Sequence, residues 1–257
     1  MLVAMRAPLD AAAIHAGLPG RDVQVLDHTQ STNADAMRIA ATAADRTVVV
    51  TSDQRAGRGR LNRSWVAPPH ATVAMSIIIR PHNTDFGLLP LVAGMAVRDT
   101  LAGLGVQAQL KWPNDVLVDG KKICGILVEA ATLTPPVLVI GIGINTDMTA
   151  AELPVAHATS LRLLGHPSSG EDVVIGVCNA FDHRLEQWQY DRGNFLDAFR
   201  AHCATIGQEV RADLPGDRAI VGTATDVQHT GELVLTDDSG RTHIVSAGDV
   251  THLRPVQ

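Results

Sequence analysis

Through most of this chain, hydrophobic and polar positions alternate between helical and strand-like rhythms, and toward the end they settle into short strands. Residues 9–16 read as a short helix and 23–27 as a strand. In Ser31-Thr32-Asn33-Ala34-Asp35, Thr32 and Asp35 match a capping box, a hydroxyl and a carboxylate three residues apart that satisfy free amides at a helix start. A helix is predicted from there to about residue 44. Residues 46–52 form a β-branched strand, and 54–65 a Gly/Arg loop. The run 72–80 is apolar throughout, as in a strand buried on both faces. Residues 88–104, rich in Ala and Leu, predict a helix, and 107–112 a strand. Asp119-Gly120 separates Val116-Leu117-Val118 from the run 122–129, the pattern of a type I′ hairpin. Residues 137–144 give another buried strand, and 171–189 and 194–205 two helices.

After Gly207 short strands are predicted at 209–212, 219–227, 233–236 and 243–246, with turns at Leu214-Pro215-Gly216 and Asp238-Ser239-Gly240. This spacing suggests a small SH3-like barrel. The expected fold class is therefore α+β: a mixed sheet flanked by helices over residues 1–205, and a C-terminal SH3-like barrel over 206–257.

Composition narrows the field. With 257 residues the chain can bury a full core. No apolar run reaches the roughly 18 residues a membrane span needs, and the first residues do not read as a signal peptide. Cys124, Cys178 and Cys203 stand far apart. They predict reduced, buried thiols in a cytoplasmic protein, with no structural metal. The net charge of −6 argues against a general nucleic-acid binder. Charge is nevertheless uneven: no acidic residue falls between Asp53 and Asp85, and Arg55, Arg58, Arg60 and Arg63 crowd the start of that gap. A basic loop on an acidic protein suggests a small anionic ligand. All three lysines, Lys111, Lys121 and Lys122, lie within a dozen residues, whereas arginine supplies cations everywhere else. Lysine offers a compact point charge suited to a tight pocket beside a phosphate or carboxylate.

Three segments carry the chemistry. Gly57-Arg58-Gly59-Arg60 pairs close backbone approach with forked donors for carboxylate or phosphate. It is neither a Rossmann fingerprint nor a Walker A loop, and taken alone it fits a solvated surface loop as well. In Lys111-Trp112-Pro113-Asn114-Asp115, Pro113 turns the chain sharply and presents Asn114 and Asp115 at a strand end. In Gly120-Lys121-Lys122-Ile123-Cys124-Gly125, strict alternation puts Lys122, Cys124 and Ile126 on one face and Lys121, Ile123 and Gly125 on the other. One lysine should face a site and the other solvent. Gly125 in a strand interior marks a close approach, and Cys124 reads as a small core residue.

In order along the chain stand Ser31-Thr32-Asn33, Gln54-x-Ala-Gly-Arg-Gly-Arg60 with Arg63-x-Trp65, Lys111-Trp-Pro-Asn-Asp115, Gly120-Lys-Lys-x-x-Gly125 and Gly141-x-Gly-x-Asn145. Together they resemble the biotin–protein ligase family, with its class II synthetase-like catalytic domain, over nearly the whole chain. Ala158-Thr-Ser-Leu161 and Ser246-Ala-Gly-Asp-Val250 add to the likeness. The resemblance implies ATP-dependent activation of biotin to biotinyl-5′-AMP, then transfer to one lysine of a biotin carboxyl carrier domain. It assigns biotin to Ser31, Thr32, Asn33, Gln54, Arg58, Gly59, Arg60, Lys122 and Gly125. It assigns ATP to Arg58, Arg60, Arg63, Trp65, Lys111, Asn114 and Asn145, with Mg²⁺ on the phosphates and no protein metal ligand named. Lys122 and Arg60 are the implied catalytic pair. Bifunctional members carry an N-terminal helix-turn-helix. Only about twenty residues precede the first predicted strand here, so DNA is not an expected partner; the lack of a long apolar run leaves no membrane expected either. A lipoate–protein ligase, a nucleic-acid-binding protein and another adenylating enzyme are the competing readings, and Ser31-Thr32-Asn33 with Gln54 favours a ureido ligand.

Overall fold

A computed structural model describes residues 6–60, 63–82, 86–214, 218–246 and 249–252. Its centre is a seven-stranded mixed sheet built from β1 (Val23–Val25), β2 (Val48–Thr51), β5 (Thr72–Ile79), β6 (Gln109–Lys111), β7 (Asp115–Val118), β8 (Lys121–Leu133) and β9 (Pro136–Asn145). The order is β1-β2-β5-β9-β8-β7-β6, with β1 and β2 parallel and all other neighbours antiparallel. All eight residues of β5 are buried, as its mainly apolar run predicted, the polar Thr72 and Ser76 included.

One face of the sheet packs Val48, Val50, Ile77, Ile79, Ile140, Ile142 and Ile144 against α1 (Ala11–Gly17), α3 (Leu89–Gly103) and α4 (Gly170–Tyr190). Phe86–Gly103 is long and apolar enough on average to cross a bilayer, against the expectation that no apolar run reaches that length. It serves here as the core helix, with ten of its residues buried along α3. On the opposite face α2 (Thr32–Ile39) and its C-cap pack Ala36 and Ala40 on Val49, Ile78, Val137 and Val139. The remainder of that face supplies the floor of a cavity.

Two local expectations are corrected here. The N-cap of α2 is Ser31, whose Oγ accepts from the Ala34 amide, whereas Asp35 is engaged by Thr29 and Arg38. The helix also stops at Ile39 rather than near residue 44. The Arg80 guanidinium donates to the carbonyls of Ala40 and Ala43 at 2.7 and 2.9 Å, so helix-end acceptors are satisfied without a further turn.

The expected hairpin turn is present, with Asp119 and Gly120 at φ 49° and 72°. Inside the predicted Gly/Arg loop, β3 (Gly57–Arg58) and β4 (Ser64–Trp65) pair as a two-stranded ribbon. After α5 (Arg192–His202), β10 (Glu209–Leu214), β11 (Arg218–Val227), β12 (Leu233–Thr236), β13 (Thr242–Val245) and β14 (Asp249–His252) form an antiparallel sheet in the order β13-β12-β11-β10-β14. β14 was not foreseen, and residues 215–216 of the predicted turn, like 247–248, lie outside the described residues. Trp112 docks this sheet onto the large one: it is 3% exposed, its Nε1 donates to the Gly231 carbonyl at 2.9 Å, and its amide donates to Thr205 Oγ1 at 3.0 Å. The two sheets share one hydrophobic core.

Candidate functional site

Small residues hollow out the uncovered face. Across β5, β9 and β8, Ser76 lies opposite Gly141 and Gly141 opposite Leu127; in the next row Ala74 lies opposite Gly143 and Gly143 opposite Gly125. Directly opposed residues share a sheet face, so these rows form a shallow floor. Above it is a cavity of about 260 Å³, walled by Ser31 to Asn33, Gln54, Arg58 to Arg60, Arg63 to Trp65, Asn114, Asp115, Lys122, Asn145 and the segment Pro154 to Ala158.

At the Gly141 end the walls are polar. Asn33 lies directly over Gly141: a Cβ there would fall 2.2 Å from Asn33 Oδ1. Ser76 Oγ stands 2.6 Å from that oxygen and 2.8 Å from Thr32 Oγ1. The Asn33 Nδ2 group donates to Glu129 Oε2 at 2.8 Å. Gln54 Oε1 accepts from the Thr32 amide at 2.9 Å and lies 3.2 Å from its hydroxyl. The start of α2 therefore sits inside a hydrogen-bonded set, with Ser31, Thr32 and Asn33 each 6% exposed or less.

One floor row along, about 7 Å by strand geometry, the walls become cationic and aromatic. The Trp65 ring lies on both glycines, 2.7 Å from a Cβ built at Gly143 and 3.0 Å from one built at Gly125. Only glycine permits this stacking. Lys122 Nζ stands 5.5 Å from the Trp65 ring centre and 2.6 Å from Asp115 Oδ1. Its backbone is clamped from the other side, the amide donating to the His157 carbonyl and the carbonyl accepting from Thr159.

Strict alternation had put Lys122 and Gly125 on opposite faces. A β-bulge corrects this: Val116 pairs with Cys124 but Leu117 pairs with Lys122. The extra residue re-aims the lysine, so Lys122 and Gly125 face the cavity together while Ile123 and Cys124 are both fully buried. Burial pushes the Cys124 thiol well above its ordinary value, in keeping with a core role. Lys121 is exposed, as expected of the second lysine.

The arginines divide. Arg58 pairs with Glu129 at 3.3 Å, and Arg60 Nη1 reaches Asn114 Oδ1 at 3.5 Å. Gly59 and Arg63 close the ribbon turn through Gly59 N–H to Arg63 C=O at 2.6 Å. Arg55 turns away to Asp53 at 2.8 Å and holds that carboxyl below its ordinary value. Asn114 Nδ2 is spent on the Ile126 carbonyl and Asn145 Nδ2 on that of Thr159, at 2.7 and 2.9 Å. Lys111 does not line the cavity. It sits on the edge strand β6 opposite Asp115, continuing the floor row of Gly125 outward. Sequence reading missed Glu129, Ser76 and the wall residues Pro154, Val155 and His157. An acid inside the apolar stretch 126–130 was the available signal for Glu129, and nothing local marked the others.

The fold and the site define an α+β domain whose cavity is polar at one end and cationic at the other. Residues 23–147 match the biotin/lipoate A/B protein ligase family, and residues 205–253 match the biotin protein ligase C-terminal domain. A biotin–[acetyl-CoA-carboxylase] ligase of Mycobacterium tuberculosis is 38% identical over 97% of this chain and 98% of its own length. One from Paracoccus denitrificans is 31% identical over 88% and 98%. The Aquifex aeolicus biotin protein ligase, solved with biotin and ATP, superposes with a TM-score of 0.79 at 24% identity, covering 91% of this chain and 99% of that one. The chain belongs to the biotin protein ligase family.

Proposed function

We propose that the cavity binds biotin and MgATP, joins them as biotinyl-5′-AMP, and passes the biotinyl group to one lysine of the carrier domain of acetyl-CoA carboxylase. The observation that carries this reading is the order of groups along the floor. Asn33, Thr32, Gln54 and Ser31 gather at Gly141, where buried ureido N–H and C=O groups need partners. Lys122 and Trp65 stand one row on, over Gly125 and Gly143, and Asn145 one row beyond. An acid extended from the first group carries its carboxylate to the second, and a nucleotide then lies over the third.

The chemistry brings a carboxylate against a triphosphate, so repulsion between anions is the first obstacle. Lys122 takes both the carboxylate and the α-phosphate, Arg60 closes over them from the ribbon, and Arg63 faces the phosphates, while Arg58, paired with Glu129, stands at the acid-binding end. A carboxylate oxygen attacks the α-phosphorus as the bond to the β-phosphate breaks and pyrophosphate leaves. Donors fixed where charge builds lower that barrier most. In the second step the lysine amine attacks the acyl carbon, AMP departs with the electrons of the C–O bond, and the amine proton passes to water. Lys111, at the outer end of the same row, serves the distal phosphates.

Among the described residues no three His, Cys, Asp or Glu side chains gather as a metal site. Mg²⁺ enters with the nucleotide as MgATP, and no residue is assigned to it. The three buried, unbridged cysteines support a reducing, cytoplasmic setting. A division near residue 205 follows the chain between the end of α5 at His202 and the start of β10 at Glu209.

The test is to incubate the chain with MgATP, the carrier domain and biotin or lipoate, then map the modified residue by peptide mass. Biotinylation of a single carrier lysine is expected. Lipoylation instead, or no modification, overturns the reading.

A further inference from the structure

Glu129 stands on β8 within the apolar stretch 126–130, and two site residues from distant parts of the chain share its carboxylate. Asn33 Nδ2 donates to Oε2 at 2.8 Å from the first turn of α2. Arg58 forms an ion pair with Oε1 at 3.3 Å from the ribbon. The carboxylate is three-quarters buried, at 26% side-chain exposure.

A side-chain amide offers two N–H donors and one oxygen with two lone pairs. In Asn33 both donors have acceptors, Glu129 Oε2 at 2.8 Å and the Leu127 carbonyl at 3.4 Å. One lone pair of Oδ1 takes the Ser76 hydroxyl at 2.6 Å. A single lone pair is left for a ligand, so toward the cavity Asn33 acts as an acceptor. Ser76 does not impose this polarity, because a hydroxyl also accepts. An ionised carboxylate only accepts, so Glu129 together with the Leu127 carbonyl decides which end of the amide faces inward.

We propose that Glu129 is a positioning residue that sets the polarity of the acid-binding end: it turns Asn33 so that Oδ1 receives an N–H of the ligand, and it ties Arg58 to the same strand. The ligand class this selects is an acid bearing a ureido or similar N–H donor. The proposal deepens the functional reading above and rests on it.

The test compares the unaltered protein with Glu129→Ala and Glu129→Gln, with biotin affinity measured by calorimetry in the absence of ATP and folding followed by thermal melting. Glutamine keeps an acceptor oxygen for Asn33, whose amide the Leu127 carbonyl still holds in the same sense, and removes the charge that holds Arg58. Alanine should weaken biotin by about tenfold or more, the scale of a lost hydrogen bond to a charged group. Glutamine should stay within about threefold, a rescue that general loosening of the strand does not give. Loss of the biotinyl-AMP from the site, read as labelling of a bystander protein, should rise in both variants. Biotin affinity in Glu129→Ala equal to the unaltered protein, or in Glu129→Gln as poor as in Glu129→Ala, overturns the proposal. If the unaltered protein binds no biotin, the reading of the cavity fails first and takes the proposal with it.

Discussion

Adding one methyl group at position 141 should damage the acid-binding end, and the damage should vanish when Asn33 is shortened. A Cβ on Gly141 falls 2.2 Å from Asn33 Oδ1, 2.8 Å from Cγ and 2.9 Å from Nδ2. Ordinary non-bonded separation requires Asn33 to withdraw by about 1 Å. Its bonds to Ser76 at 2.6 Å and Glu129 at 2.8 Å do not both survive such a shift. A neutral hydrogen bond is worth about 1 kcal/mol and one to a charged group about 1.5–3, so Gly141→Ala should cost about 2–4 kcal/mol of stability. Asn33→Ala loses the same bonds and should cost a similar amount. The three nearest atoms to the new methyl, and its tightest contacts, are Asn33 atoms beyond its Cβ, so the double variant should be no less stable than Asn33→Ala alone. Denaturant midpoints of the four proteins give the coupling energy, expected to be about as large as either single effect. Additive losses would refute the placement of Asn33 over Gly141.

The remaining predictions address the ribbon, the domain contact and the N-terminal tether. Arg60→Gly should let biotinyl-AMP escape, so that a bystander protein mixed with the variant, MgATP and biotin becomes labelled; unchanged bystander labelling would count against the ribbon as a closure. Trp112→Ala removes a 3%-exposed indole and its bond to Gly231, and should destabilise by about 3–5 kcal/mol in thermal or denaturant unfolding. Hydrogen bonding from Arg6 holds Glu152 down at about 2 from an ordinary 4.5. The stability this gives is complete above pH 4.5 and is lost as pH falls through about 2. Arg6→Ala should therefore flatten the dependence of the unfolding midpoint on pH in that window, and an unchanged slope would contradict it.

Much of this architecture is written locally in the chain. The mainly apolar run of β5 states burial on both faces, and Asp119-Gly120 fixes a turn that both residues enter with positive φ. The glycines at 125, 141 and 143 each mark a close approach, as a strand glycine suggests. What sequence could not show depends on partners far along the chain. The bulge at Ile123, just after Lys122, appears only when β8 is registered against β7. The early stop of α2 needs Arg80, and the orientation of Asn33 needs Glu129, 96 residues away. Trp112, grouped by motif with Lys111 and Asn114, belongs to the contact between the two sheets. Lys111 itself lies outside the cavity because its strand is the edge of the sheet.

Pyrophosphate release with MgATP and biotin, measured for the unaltered protein and for Lys122→Ala, tests the central claim most directly. Release that requires biotin, and that falls by about 10²–10³ in the variant, is the predicted result. Release independent of biotin, or untouched by the loss of Lys122, would contradict a cavity in which that lysine joins the acid to the nucleotide.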